Sequence, residues 1–124
     1  MAYAARTLEL GPERSLHTVM AGEGQDIVLL HGGFATHQDW LTGIFQSLSR
    51  LGRTIAVDRP GHGLSRRPRG RGAPRAQAAQ IHDGLRALGV ERPVLVAHSL
   101  GGLVALGYAE QYPDALSHLV LIGP

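Results

Sequence analysis

One serine in this sequence lies at the end of an apolar run and is bracketed by small residues. Residues 94–97 are apolar, and Ser99 follows shortly after them, with Ala97 two positions before it and Gly101 two positions after it. Small residues at these positions are typical of a nucleophile elbow, because they let a strand and a helix pass close together beneath a strained serine. Ser99 is therefore the first candidate for nucleophilic chemistry.

The elements that must position this serine follow from hydrophobic patterning. Short, partly alternating segments at residues 5–10 and 15–21 predict an antiparallel pair of strands. Continuous apolar runs predict buried strands at residues 27–30, 55–57, 94–96 and 119–122. Helical spacing predicts helices at residues 38–51 and 76–88, and a third helix that runs from the elbow to about residue 111. We therefore expect an α/β fold of about six strands and three helices, with a mostly parallel sheet and helices on both faces.

Three of the predicted strands end in unusual segments. These are His31-Gly32-Gly33-Phe34, the stretch from Asp58 to Ser65, and His98-Ser99-Leu100-Gly101-Gly102. Ligands of such a sheet lie beyond the carboxyl ends of its strands, so the three segments are expected at one edge. One glycine-rich strand exit is weak evidence of a site, because tight turns need glycine for structural reasons, whereas three together indicate one.

Composition limits the remaining possibilities. The chain has 124 residues, which is enough for one domain, and it contains no cysteine that could form a disulfide or a thiolate metal site. All 12 basic residues are arginine, which excludes a P-loop lysine and a lysine nucleophile. No apolar run has the length of a signal peptide or a membrane span, so we expect a cytoplasmic protein that does not enter a membrane.

An arginine-rich segment follows the second of these exits. Five arginines lie close together, with proline and glycine between them: Arg66, Arg67, Arg69, Arg71 and Arg75. We interpret this segment as a solvated, mobile loop. Nucleic-acid binding is not predicted, because no aromatic residue is interleaved for base stacking and no nucleic-acid-binding motif accompanies the arginines.

Taken together, the three exits resemble the α/β-hydrolase superfamily, and the resemblance covers the N-terminal half of that fold. His31-Gly32-Gly33 followed by Trp40 is similar to the His-Gly-x loop of the family. Asp58-Arg59-Pro60-Gly61-His62-Gly63-Leu64-Ser65 resembles its Asp-x-x-Gly-x-Gly-x-Ser turn, and Ala97-His98-Ser99-Leu100-Gly101-Gly102 resembles its elbow, with alanine for the first glycine. The nearest likeness is to small bacterial esterases, cofactor-free haloperoxidases and perhydrolases.

The resemblance implies a role for each of several residues. Ser99 would be the nucleophile, and the main-chain amides of Gly33 and Leu100 would hold the oxyanion, with the amide of Phe34 as the alternative to that of Gly33. Phe34 and His98 are the expected contacts to substrate. A small ester or acyl compound is the expected substrate, and neither a cofactor nor a metal ion is predicted.

The general base is missing from this assignment. In the resembled family an acid and then a histidine follow the serine, but only Asp114 and His118 do so here. The intervening helix rises about 1.5 Å per residue and carries the chain to the opposite end of the sheet, which places both residues away from Ser99.

The histidines that precede the serine are weaker candidates. His31 is expected to order the oxyanion loop, His62 to stabilise its own turn, and His98 to pack beside the elbow. His37, with Asp39, could approach Ser99, although a surface position is the expectation. A metal site built from His31, His37, Asp58 and His62 is conceivable, but these residues match no recognised ligand spacing.

The resemblance implies a single partial domain over residues 1–124, without the lid and the C-terminal acid and histidine segment of that family. The predicted last strand would lie at a sheet edge, where a long apolar strand favours association. We therefore expect a homo-oligomer or a complementing C-terminal chain, which would supply the acid and base of a carboxylesterase-like serine hydrolase. The alternatives are a non-catalytic truncated or engineered half-domain or binding module and, among enzymes, a perhydrolase or haloperoxidase.

Overall fold

A computed structural model describes residues 3–123, which form one sheet and four helices. The strands are β1 (Ala4–Gly11), β2 (Arg14–Ala21), β3 (Asp26–Leu30), β4 (Arg53–Val57), β5 (Val94–His98) and β6 (His118–Ile122). The helices are α1 (Gln38–Leu41), α2 (Phe45–Ser49), α3 (Pro74–Ala87) and α4 (Gly101–Gln111). None of these helices is long and apolar enough to cross a membrane.

The sheet has the strand order β1-β2-β4-β3-β5-β6. β1 and β2 pair antiparallel, as do β2 and β4, whereas β4, β3, β5 and β6 all run parallel to their neighbours. β3 lies between β4 and β5, so the chain moves to one side of β3 and later returns to the other. This reversal opens a crevice at the carboxyl ends of β3 and β5. The prediction of a mostly parallel sheet of about six strands is confirmed.

Two apolar cores cover the two faces of the sheet. The larger core joins β-strand residues to α3 and α4, and its most buried members include Leu30, Ile81 and Tyr108. The smaller core lies on the other face and includes Trp40 from α1 and Phe45 from α2. Burial on both faces explains why the central strands read as continuous apolar runs.

The predicted single helix over residues 38–51 is wrong, because the structure has α1 and α2 there instead. Trp40 and Phe45 both pack in the smaller core. On one continuous helix they would lie about 140° apart, which is too far for both to face the sheet. The chain therefore turns between them at Gly43, whose amide donates to Trp40 O at 3.0 Å.

The arginine-rich loop is exposed at its side chains, as predicted, but its main chain is anchored at one point. Arg66 N donates to Ser15 Oγ at 2.9 Å, and Arg66 O accepts from Ser15 N and from Gln80 Nε2. Arg66 also pairs with Glu9, and Arg75 pairs with Glu110. These contacts attach the loop to β1, β2, α3 and α4.

Candidate active site

A sharp turn joins β5 to α4 and carries Ser99 at its apex. Ser99 has a backbone φ of +54°, a left-handed conformation that a residue with a Cβ rarely adopts. Its amide donates to Ile122 O at 3.1 Å, and its carbonyl accepts from Gly102 N at 2.8 Å. A side chain at Gly101 would place its Cβ only 2.5 Å from His31 O, so this position requires glycine. The strained serine and the close approach behind it are the geometry of a nucleophile elbow.

The oxyanion loop predicted after β3 lies directly beside this turn. A Cβ built on Gly32 would lie 3.4 Å from Ser99 Cβ, and one built on Gly33 would lie 2.5 Å from Leu100 Cδ1. Phe34 has a φ of +55° and a fully exposed side chain. Gly33, Phe34 and Leu100 line one cavity of about 280 Å³, together with residues that include Arg59. The three residues predicted to supply amide donors therefore line one cavity beside the turn that carries Ser99.

His31 lies under this loop and is almost completely buried. Its Nδ1 hydrogen bonds to Gly32 O at 2.8 Å, and its Nε2 accepts from Arg59 N at 2.9 Å. Burial, above all other effects, lowers the pKa of His31 from 6.5 to about 4, so its ring is neutral at physiological pH. These hydrogen bonds join the predicted oxyanion loop to the turn after β4. They are the contacts expected of a histidine with a structural role.

Arg59 is a buried cation that the sequence analysis did not single out. Its side chain donates to His31 O at 3.0 Å, to Gly32 O at 3.1 Å and to Gln77 Oε1 at 2.8 Å. It forms no ion pair with a carboxylate of residues 3–123. Burial lowers the pKa of this guanidinium from its ordinary value. The signal that could have revealed it is a cationic residue two positions after a buried strand, immediately before a Pro-Gly pair.

The expected surface position of His37 is wrong, because the structure buries its side chain against Asp58. Asp58 Oδ1 accepts from His37 N at 2.7 Å and from His37 Nδ1 at 2.8 Å, and Asp58 Oδ2 accepts from Leu64 N at 2.9 Å. Burial alone would raise the pKa of Asp58, but these donors stabilise the carboxylate and hold its pKa below the ordinary value. The side chain therefore joins the segment before α1 to the turn after β4.

Metal-binding atoms come together here in a different set from the one considered in the sequence. Ligand atoms of His17, His37 and Asp58 lie within 4.8 Å of one another, and all three residues are buried. His17 Nδ1 is already hydrogen bonded to Thr7 Oγ1 at 2.7 Å, while both Asp58 oxygens accept the hydrogen bonds given above. These hydrogen bonds already engage His17 Nδ1, His37 Nδ1 and both Asp58 oxygens. His31 is directed instead toward Gly32 and Arg59.

His98 lies close to the loop after β3, since a Cβ built on Gly32 would lie 3.2 Å from His98 Nδ1. It lines a second cavity of about 380 Å³ with Trp40, Ile44 and Ile122 among its walls. The ring of His98 meets the ring of Trp40 edge to face at a centroid distance of 6.5 Å. In the described part of the chain, Trp40 Nε1 is buried without a hydrogen-bond partner. The two residues predicted to contact substrate, Phe34 and His98, thus line different cavities.

No side chain in residues 3–123 hydrogen bonds to the Ser99 hydroxyl. Asp114 and His118 lie at the opposite end of the sheet, as the sequence predicted. His118 pairs with Val94 at the amino end of β5, whereas the elbow follows the carboxyl end of that strand. Asp114 lines a cavity of about 550 Å³, which is therefore remote from Ser99. Within residues 3–123, the Ser99 hydroxyl therefore has no histidine or carboxylate hydrogen bonded to it.

The fold and the site together place this protein in a class of open α/β-sheet proteins in which a strained serine follows a central parallel strand. A sequence model described as the alpha/beta hydrolase fold matches residues 27–124. The chain belongs to this family.

Several relatives in this family have names that state an activity. The chain is 37% identical over 117 residues to a 2-hydroxy-6-oxo-2,4-heptadienoate hydrolase of Pseudomonas putida, covering 91% of this chain and 41% of that protein. It is 35% identical over 106 residues to a monoacylglycerol lipase of Xenopus laevis, covering 83% of this chain and 31% of that protein. The solved structure of the epoxide hydrolase CorEH superposes with a TM-score of 0.89 at 26% identity, over 97% of this chain and 42% of that one. The chain thus spans less than half the length of these proteins.

Proposed function

We propose that this chain carries the nucleophile and the oxyanion hole of a serine hydrolase of esterase type, which acts on small carboxylic esters. The observation that carries the proposal is the left-handed Ser99 at the β5–α4 turn, next to the oxyanion loop. The hydrolase names of its relatives and the fold family support the proposal, and the monoacylglycerol lipase among them acts, by its name, on an ester.

In the proposed ester hydrolysis, Ser99 and the amide donors each take part in a defined step. Ser99 Oγ bonds to the carbonyl carbon of the ester while its proton passes to a base, and the carbonyl electron pair moves onto oxygen. The amide of Leu100 and that of Gly33, or of Phe34, would donate to this oxyanion, and each such donor contributes on the order of 10²–10³ in rate. Collapse of the intermediate expels the alcohol and leaves an acyl-serine, which water then hydrolyses. Perhydrolase or haloperoxidase activity would use the same residues.

The acid and base of this proposed enzyme come from polypeptide outside these 124 residues, either a complementing C-terminal chain or a second copy. This part of the proposal is supported by the Ser99 hydroxyl, which has no side-chain partner in the described residues, and by the position of Asp114 and His118 at the remote end of the sheet. A site without its base retains the oxyanion donors, which still accelerate acyl transfer.

Labelling by a fluorophosphonate tests the nucleophile. We expect slow phosphonylation of the wild-type chain that is lost in Ser99→Ala and kept in Ser47→Ala, a matched change of an exposed serine in α2. Because the missing component is a base, added imidazole should accelerate labelling of the wild type and leave Ser99→Ala unlabelled. Labelling that persists in Ser99→Ala contradicts the assignment of Ser99.

The second candidate is a non-catalytic half-domain or binding module, and the observation that favours it is again the Ser99 hydroxyl without an acceptor among residues 3–123. This candidate predicts that no serine of the wild type reacts, with or without imidazole. The same labelling experiment therefore separates the two functions.

A further inference from the structure

Arg59 joins two successive carbonyl groups of the oxyanion loop through one guanidinium. Arg59 Nε donates to His31 O at 3.0 Å, and the NH2 nitrogen donates to Gly32 O at 3.1 Å. The other end of the guanidinium is held by Gln77 Oε1 of α3 at 2.8 Å. A planar guanidinium held at three points has little freedom to turn, so it fixes the direction of both carbonyls.

The direction of Gly32 O determines that of the next amide. No peptide bond in the described chain is cis, and in a trans peptide the C=O and the N–H point in opposite directions. Because Gly32 O faces Arg59, the N–H of Gly33 points away from Arg59. Arg59 has no such contact with the carbonyl of Gly33, which belongs to the peptide that bears the Phe34 amide.

The charge of Arg59 also strengthens the same amide. Hydrogen bonds from a cation to a carbonyl are stronger than neutral ones, and they polarise the whole peptide group, which makes its N–H a better donor. Gly32 O receives a second hydrogen bond, from His31 Nδ1 at 2.8 Å. No carboxylate in the described residues forms an ion pair with the guanidinium, and only 3% of Arg59 is exposed, so solvent screens its charge weakly.

We propose that Arg59 is a positioning residue of the oxyanion hole, which orients and polarises the Gly32–Gly33 peptide so that Gly33, and not Phe34, supplies the second donor. The proposal rests on the proposed serine hydrolase function. In this proposal Arg59 acts on the oxyanion through the Gly32–Gly33 peptide.

The amide of Gly33 can be observed directly, whether or not Ser99 reacts. In ¹H–¹⁵N spectra, Arg59→Met should move the Gly33 nitrogen resonance upfield, because its peptide carbonyl loses a charged donor. Arg59→Lys, which keeps the charge but cannot hold both carbonyls, should move it less. Arg14→Met is the matched control, since Arg14 pairs with Asp83 at the surface, and it should leave the Gly33 resonance in place.

Reactivity supplies the second measurement. We expect Arg59→Met to slow fluorophosphonate labelling of Ser99 by about tenfold to a hundredfold, somewhat less than the loss of a whole donor. In a Ser99→Cys background, alkylation by iodoacetamide at alkaline pH forms no oxyanion, so Arg59→Met should leave that rate unchanged. If Arg59→Met does not fold, Gln77→Leu removes one anchor of the guanidinium and should move the Gly33 resonance in the same direction.

Three outcomes overturn the proposal: an unmoved Gly33 resonance, equal labelling of wild type and Arg59→Met, or an equal loss of labelling and alkylation, which indicates general disruption. A wild type that never labels at Ser99 contradicts the proposed function instead. In that case the Gly33 resonance alone decides whether Arg59 positions this peptide.

Discussion

Ser99 combines a strained backbone with a hydroxyl that has no partner among residues 3–123. A left-handed conformation costs a residue with a Cβ roughly 1–2 kcal/mol, and the φ of Ser99 is +54°. The surrounding contacts must offset this cost, since Ser99 N is held by Ile122 O and Ser99 O by Gly102 N. Strain of this kind marks functional turns, and it has a measurable consequence for stability.

We expect Ser99→Gly to be more stable than Ser99→Ala by about 1 kcal/mol, because glycine adopts positive φ without strain whereas alanine does not. Urea denaturation of both variants measures the difference. At the helical position Ser47 the order should reverse, with alanine more stable than glycine by about 1 kcal/mol. The same order at both positions would contradict a strained elbow.

A second prediction at the scale of single residues concerns the stability of the protein at acidic pH. The pKa of His31 is lowered from 6.5 to about 4, so between these pH values the unfolded chain binds a proton that the folded chain does not. The free energy of unfolding should therefore decrease as pH falls through this range, by about 3 kcal/mol at most from His31. The lowered pKa values of His17 and His82 act in the same direction.

Denaturation series between pH 7.5 and 4.5 test this dependence. The variant His31→Gln should be less stable at pH 7.5, because it weakens the contact with Arg59 N, but its stability should change less with pH. Equal slopes for wild type and variant would show that His31 is not the buried neutral group responsible.

At the scale of elements, the site depends on how closely α4 approaches β3. A Cβ at Gly101 would lie 2.5 Å from His31 O and 2.8 Å from Leu30 O, both main-chain atoms that cannot move aside. At the next position, Gly102, the nearest atom is Leu121 Cδ2 at 3.6 Å, an ordinary contact. Only Gly101 must therefore lack a side chain for α4 to pack this closely against β3.

Gly101→Ala should therefore destabilise the protein by about 2 kcal/mol, through displacement of α4 from β3, and should slow labelling of Ser99. Gly102→Ala should be neutral or stabilising by up to about 1 kcal/mol, because alanine is the better helix former. Thermal unfolding of the pair measures both effects. Equal losses in the two variants would contradict the close approach.

At the scale of the whole molecule, one sheet edge exposes apolar side chains. β6 is an edge strand, and Val120, Leu121 and Ile122 are 43%, 50% and 39% exposed. On the neighbouring α4, Leu103 and Leu106 are about half exposed. An apolar edge of this kind favours pairing with another polypeptide, which supports the proposal of a second copy or a complementing chain.

We expect the purified chain to associate in light scattering, with a mass above the 13.2 kDa of one copy. Val120→Lys should reduce the association, because a charge on β6 opposes edge pairing. The control Ala5→Lys places the same charge on β1, the other edge strand, and should leave the association unchanged. A wild type that is monomeric at all concentrations would refute pairing between copies.

Much of the architecture could be predicted because it depends on local patterns. Apolar runs identified the buried strands, and the small residues around Ser99 identified the elbow. The break between α1 and α2 was not predictable from spacing, because it arises from the need of Trp40 and Phe45 to reach the same core. Burial of His37 was missed for a related reason, since its partner Asp58 lies 21 residues away in sequence.

The sequence by itself determined most of the strands and helices, the elbow around Ser99, and the position of Asp114 and His118 away from it, because these depend on residue type and order along the chain. Only the tertiary structure decided what lies behind the oxyanion loop. Arg59 is one of 12 basic residues and acquires its proposed role through contacts with His31, Gly32 and Gln77, which the fold brings to it from the loop after β3 and from α3. Its burial, with no ion pair to a carboxylate among residues 3–123, is a property of those surroundings, so no local pattern encodes it.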